Sequence, residues 1–254
     1  MNELKAPGAA NALLFSHHPS EYFLSLKREN ALSEYFSEVA ACVGVPQDPV
    51  HHPEGDVFDH TLLVLDCAAE LREQARQPLG FMLAALTHDL GKTVATEVQP
   101  GGRITAYRHE TLGLPLVRQQ LRRLTDDEAL MAYVVNMVWL HMRPNMLAGA
   151  RSRKIRTRQL FDLSVCPEDL ILLSRADASG KLDRPYDSGN EAFLRSRLAD
   201  YRRIMARPRV TEADLLTAGV SPDQIQEYLA RTRRLHLSGL EPGRALAQVL
   251  REKQ

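Results

Sequence analysis

The sequence predicts an all-α protein with a small C-terminal helical appendage. Apolar residues recur at three- and four-residue spacing in almost every segment, no stretch alternates apolar and polar residues long enough to build a sheet, and there is no internal repeat or low-complexity segment. Candidate helices run from Ser20 to Lys27, Ala31 to Val43, Asp59 to Gln74, Phe81 to Leu90, His109 to Leu124, Asp126 to Met142, Pro167 to Ser179 and Gly189 to Met205. Local chemistry marks their ends. Asp126 and Asp127 precede one helix, Pro167 opens another near its first turn, and Gly91 and Gly180 suit helix ends. The stretch "ARPRVT", Ala206 to Thr211, reads as a joint, which divides the chain into residues 1–205 and a tail, 206–254. Two or three short helices are expected in that tail, with Pro222 and Pro242 each in a first turn.

Bulk properties narrow the function classes. With 254 residues, 44% of them hydrophobic, the chain can bury a sizeable core. No apolar run approaches the roughly 20 residues of a membrane span, and the start "MNELKAPGAANALLFSHH" lacks the basic stretch of a secretory signal, so no membrane and a cytoplasmic location are expected. Cys42, Cys67 and Cys166 are odd in number and far apart, which argues against a disulfide framework or a thiolate zinc site. Net charge is zero but unevenly spread. Residues 1–100 hold 14 acidic and 6 basic residues, and the excess of base in the remainder gathers at "RSRKIRTR" (Arg151 to Arg158), "DYRRIMARPR" and "RTRRLH". Each cluster reads on its own as a solvated face or loop, whereas the summed asymmetry favours an anionic ligand.

Against this background, several polar residues stand where apolar ones belong. His60 shares a helical stripe with Leu63, Val64, Cys67 and Leu71; His141 aligns with Leu130, Val134 and Val138; Asp177 aligns with Leu170 and Leu173. His88 and Asp89 close the apolar run "GFMLAAL" at a helix end. A buried unpaired carboxylate costs several kcal/mol, so two inward aspartates need partners. Two imidazoles and two carboxylates, His60, His88, Asp89 and Asp177, would supply four ligands to a divalent ion (Mn, Ni, Co, Fe, Zn or Mg), with octahedral positions left for water and substrate. A metal-free His/Asp hydrogen-bond network is the alternative, and it must satisfy all four groups internally.

The order His60, His88-Asp89, Asp177 resembles the H…HD…D signature of the HD-domain metal-dependent phosphohydrolases, and "HDLGK" resembles their central motif. The stretch from "SHHPSEYF" through "VFDHTLLVLDCAA" is similar to the segment leading into the HD domain of bacterial CCA-adding tRNA nucleotidyltransferases. "RVTEADLLTAGVSPDQIQEYLARTRRLHLSGL" is similar to their C-terminal, tRNA-facing helices. The likeness covers roughly residues 15–240. Two departures accompany it: no strand-rich segment precedes Ser16, so CCA addition is not expected, and "SPDQIQEY" stands where the family tends to show Pro-Gly-x-x-Ile-Gly, which weakens the carry-over of tRNA binding.

The resemblance implies an HD-domain helical bundle with one or two divalent ions per chain. It also implies hydrolysis of nucleotides, 2′,3′-cyclic phosphates or RNA 3′-end phosphates, with Asp89 orienting the attacking water. Lys92 is a candidate for holding a phosphate oxygen or for completing a helix dipole, and Arg143 and Arg175 are weaker candidates for phosphate contact. In several HD hydrolases two further histidines hold a second ion; here His109 and His141 stand in those positions, with substrate contact or helix capping as the alternatives. His51 and His52, in "HHPEGD", are expected to pack a loop or touch substrate. The competing function is an RNA- or tRNA-binding module with a structural or vestigial metal site.

Overall fold

A computed structural model describes residues 4–182 and 186–251, which form two compact units: Met1–Met146 with Ser164–Glu191, and Leu147–Leu163 with Ala192–Gln254. The first is built around the helix Pro78–Thr87. Every residue from Leu79 to Thr87 is buried, because a helix with no polar face must be surrounded. Helices Val57–Ala69, Glu128–Leu140 and Pro167–Ser179 pack around it. Their starts follow from local chemistry. Asp56 caps the first by accepting from the Asp59 N–H at 2.9 Å, Asp127 caps the second by accepting from the Leu130 N–H at 2.9 Å, and Pro167 occupies the first turn of the third.

The all-α expectation holds, while several expected helices end elsewhere. The segment Ala31 to Val43 divides into Leu32–Tyr35 and Ser37–Ala40 at Phe36, which leaves helical geometry with its ring fully buried, edge-on to Phe23 at 5.0 Å. The segment His109 to Leu124 divides at Gly113 into His109–Leu112 and Leu114–Leu124. The run Phe81 to Leu90 starts earlier, at Pro78, and stops at Thr87, so His88 and Asp89 lie in the turn that follows. Helices Ala9–Phe15 and Lys154–Leu163 were not anticipated, nor was a hairpin pairing Glu97–Val98 with Ile104–Thr105 across Gly101 and Gly102.

Gly91 and Gly180 do not act as left-handed helix caps. Their φ values are −66° and −73°, open to any residue. What they permit is close approach. A Cβ on Gly91 would lie 2.0 Å from the His109 carbonyl oxygen, and one on Gly113 would lie 2.5 Å from the Gly91 Cα, so these two glycines let the turn after Asp89 touch the start of the His109 helix. A Cβ on Gly180 would lie 2.6 Å from the Val64 side chain, so bare backbone there lets the end of the Asp177 helix reach the helix that carries His60.

The second unit begins earlier than the joint at 205/206 suggests, because Lys154–Leu163 and most of Ser188–Met205 group with the tail. Buried Arg158 holds these elements together, donating to Asp200 at 2.7 Å and to the Leu237 carbonyl at 2.9 Å. Arg233 grips Asp162, and His236 donates to the Ile204 carbonyl. Part of two of the three basic clusters is therefore structural. The tail helices Glu212–Thr217, Ile225–Ser238 and Pro242–Arg251 enclose a small core of Leu215, Val220, Ile225, Tyr228 and Val249, with a capping box between Thr211 and Asp214 at the entry. Among the described residues, no helix is long and apolar enough to cross a membrane.

One buried carboxylate secures the central helix. Asp169 accepts from the backbone N–H groups of Arg76 and Gln77, at 2.9 and 3.2 Å, and from the Tyr133 hydroxyl at 2.6 Å. Asp169→Ala should strand all three donors and lower unfolding stability by about 3 kcal/mol or more. Urea titration checks this; a loss below about 1 kcal/mol would show that the donors find other partners.

Candidate metal centre

The site is assembled where helices of the first unit begin and end. His60 is the fourth residue of Val57–Ala69, His88 and Asp89 follow Pro78–Thr87, His109 opens His109–Leu112, His141 follows Glu128–Leu140, and Asp177 lies in the last turn of Pro167–Ser179. All six are buried. Helical spacing places His60, His141 and Asp177 inward and the apolar run places His88 and Asp89 at a helix end; the fold brings these five and His109 to one place.

Asp89 is at the centre. Its Oδ2 lies 3.2 Å from His88 Nε2, 3.7 Å from His60 Nε2 and 2.7 Å from Lys92 Nζ, while its Oδ1 lies 3.1 Å from His109 Nε2 and 3.7 Å from His141 Nε2. Asp177 Oδ1 is 3.3 Å from His60 Nε2. Among the described residues three groups of candidate ligands result, His52–Glu54–His60, His60–His88–Asp89 and Asp89–His109–His141, each with its ligand atoms within 4.8 Å of one another, and Asp89 belongs to the last two.

The imidazoles share an orientation. His88, His109 and His141 each donate Nδ1–H to the carbonyl three residues back, of Ala85, Ala106 and Val138, at 2.8, 2.8 and 2.6 Å. His60 directs Nδ1 at Glu54 Oε1, 2.7 Å away. With Nδ1 engaged, each Nε2 is turned towards Asp89, in the tautomer suited to a metal ligand. His60 Nε2 and His88 Nε2 are buried and, among the described residues, have no hydrogen-bond partner of acceptable geometry. A metal-free network does not satisfy these atoms; a divalent ion would. Imidazole nitrogens with carboxylates fit such an ion.

The electrostatics agree. Burial alone would raise the carboxyl of Asp89, but His88 and Lys92 beside it hold it well below the usual range. Asp177 is likewise held low against its burial, by the His60 imidazole 3.3 Å away and the charge of Lys181. For His88 and His109, burial disfavours the charged form, and the Asp89 carboxylate outweighs it and raises both. His141 is lowered, chiefly by burial.

A cavity of about 300 Å³ opens onto this cluster, lined by Asp89, His109, His141, Asp177, Lys92, His51 and His52 together with Gln47, Arg103, Tyr107 and Lys181. Lys92 is neither exposed nor at a helix C-terminus. It opens the short helix Lys92–Ala95, and its ammonium donates to Gln47 Oε1 at 2.6 Å besides pairing with Asp89. Arg143 and Arg175 do not line the cavity: Arg143 stacks 4.9 Å over Trp139, and Arg175 lies over Tyr186 and pairs with Glu191 at 3.4 Å. The expected phosphate contact thus has no support from the cavity wall at either arginine. Lys181 and Arg103 line the cavity, and Glu54 lies against His60; sequence periodicity could not reveal them, because all three lie outside the regular helices.

Residues 57–179 match the HD domain. The chain is 32% identical over 231 residues to the multifunctional CCA protein of Actinobacillus pleuropneumoniae serotype 5b, covering 89% of this chain and 54% of that protein. It is 30% identical over 250 residues to that of Pseudomonas aeruginosa, covering 92% and 55%, and 34% identical over 208 residues to that of Methylococcus capsulatus, covering 76% and 45%. The chain spans about half the length of the curated relatives it matches. Residues 57–179 are thus an HD domain, and the chain is homologous to the part of multifunctional CCA proteins that contains it.

Proposed function

We propose that the chain is a metal-dependent phosphohydrolase, of the phosphodiesterase or phosphomonoesterase type, acting on nucleotides, 2′,3′-cyclic phosphates or RNA ends. The observation that carries this reading is the sharing of Asp89 between two imidazole pairs at the floor of a cavity. Its two oxygens face different pairs, so His60, His88 and Asp177 would hold one divalent ion and His109 and His141 a second, with Asp89 within reach of both groups. A divalent ion so bound supplies Lewis acidity and lowers the pKa of water.

The chain's own residues supply the remainder. Asp89 and Asp177, ionised at neutral pH, bring two negative charges to the site. Lys92 uses two of its three N–H donors on Asp89 and Gln47, which leaves one for a phosphate oxygen. Lys181 and Arg103 add positive charge to the cavity walls. A cavity of about 300 Å³ suits a mononucleotide or a terminal phosphate, whereas a duplex needs a continuous basic groove. RNA contact outside the cavity is supported by the second unit, where 17 basic residues face 8 acidic ones, and by the likeness to CCA proteins.

The direct test compares hydrolysis of a 2′,3′-cyclic mononucleotide, a short single-stranded RNA with a cyclic end, and a duplex, with several divalent ions at low and moderate salt. The first two should be cleaved, with a shallow salt dependence, and Asp89→Ala should lose more than the roughly 100-fold typical of a supporting residue while keeping its helical content. Wild-type rates in Asp89→Ala, or preferred internal cleavage of the duplex, would overturn the proposal.

Protonation gives an independent prediction. His88 and His109 are raised above the ordinary value of 6.5, so in the metal-free chain they stabilise the fold fully below that value, and this contribution is lost as pH rises through their folded values. An ion must displace those same protons, so metal affinity rises with pH over that range. Melting temperatures of metal-free and Mn²⁺-loaded protein should therefore diverge as pH increases above 6.5. Parallel curves would contradict the ligand assignment.

A further inference from the structure

Of the four inward imidazoles, three are held by backbone and one by a charge. His88, His109 and His141 lie where the chain enters or leaves a helix, and each finds a carbonyl three residues back to accept its Nδ1–H. His60 stands inside Val57–Ala69, where the carbonyls are committed to the helix and Val57 O also receives the Thr61 hydroxyl at 2.7 Å. Its Nδ1 turns instead to Glu54, 2.7 Å away, on the loop before the helix. The Glu54 side chain has no exposure, and its ion-pair partners among the described residues are His60 and His52, whose Nδ1 lies 2.9 Å from the same oxygen. The His52 ring packs edge-on to His60 at 4.7 Å and lines the cavity.

A carboxylate that accepts from Nδ1–H fixes the tautomer and makes the opposite nitrogen a stronger donor than a neutral carbonyl does. We infer that Glu54 is a positioning residue that makes the His60–His88 half of the centre the tighter cation site, with His52 anchoring Glu54 from the cavity wall. The inference rests on the metal-centre reading above. It assigns a role to the "HHPEGD" loop beyond packing: His52 and Glu54 set one ligand of the centre from outside the ligand shell.

Mn²⁺ binding to the full chain, followed by electron paramagnetic resonance and calorimetry, tests this with Glu54→Gln, Glu54→Ala and Asp89→Asn. Glu54→Ala should weaken the first ion by about 10- to 100-fold, and Glu54→Gln by less, since its amide oxygen still accepts from Nδ1–H. Asp89→Asn should weaken binding most. Long-range ¹H–¹⁵N spectra of the metal-free wild-type protein should show His60 protonated at Nδ1, a readout that needs no variant to fold. His60 protonated only at Nε2, or both Glu54 variants binding within about twofold of wild type while Asp89→Asn does not, would overturn the role of Glu54. Unchanged binding by Asp89→Asn would instead remove the metal centre, and this inference with it.

Discussion

The carboxylate of Asp89, buried among four imidazoles and one ammonium, is the constraint on which the rest of the first unit depends. A charge in that position is costly unless its surroundings are polar and fixed. Each surrounding group is accordingly held from behind, three imidazoles by backbone carbonyls, one by Glu54, and Lys92 by Gln47. Helix ends suit this task because their last carbonyls lack partners within the helix. The centre thus uses groups that a helical fold leaves over.

Two glycine contacts set the distances. Gly91 against Gly113 brings the turn after Asp89 onto the start of the His109 helix, and Gly180 against Val64 brings the helix of Asp177 onto that of His60. The glycine of "HDLGK" is therefore a packing residue. Any side chain at position 91 would push on the His109 backbone and separate His109 from Asp89, which links a backbone contact to the electrostatics of the centre.

Much of this was legible in the sequence, for physical reasons. Helical spacing placed His60, His141 and Asp177 on buried faces, and the apolar run before His88-Asp89 marked a surrounded helix. Other features had no periodic signal. The break at Phe36 comes with burial of a single ring, the Glu97–Val98 hairpin strands are two residues long, and Glu54 and Lys181 lie in loops whose path only the tertiary fold determines. The pairing of Arg158 with Asp200, 42 residues away, likewise has no local signal in the sequence.

Charge follows the same division as packing. The first unit holds 24 acidic and 15 basic residues and contains the candidate metal-ligand cluster, whereas the second reverses the balance. The central claim is that the inward Nε2 atoms and Asp89 are metal ligands, and anomalous diffraction from crystals grown with Mn²⁺ or Zn²⁺ tests it most directly. The account predicts anomalous density at coordinating distance, about 2.0–2.2 Å, from His60 Nε2, His88 Nε2 and the Asp89 carboxylate. Ions bound only elsewhere, with these atoms unligated, would contradict it.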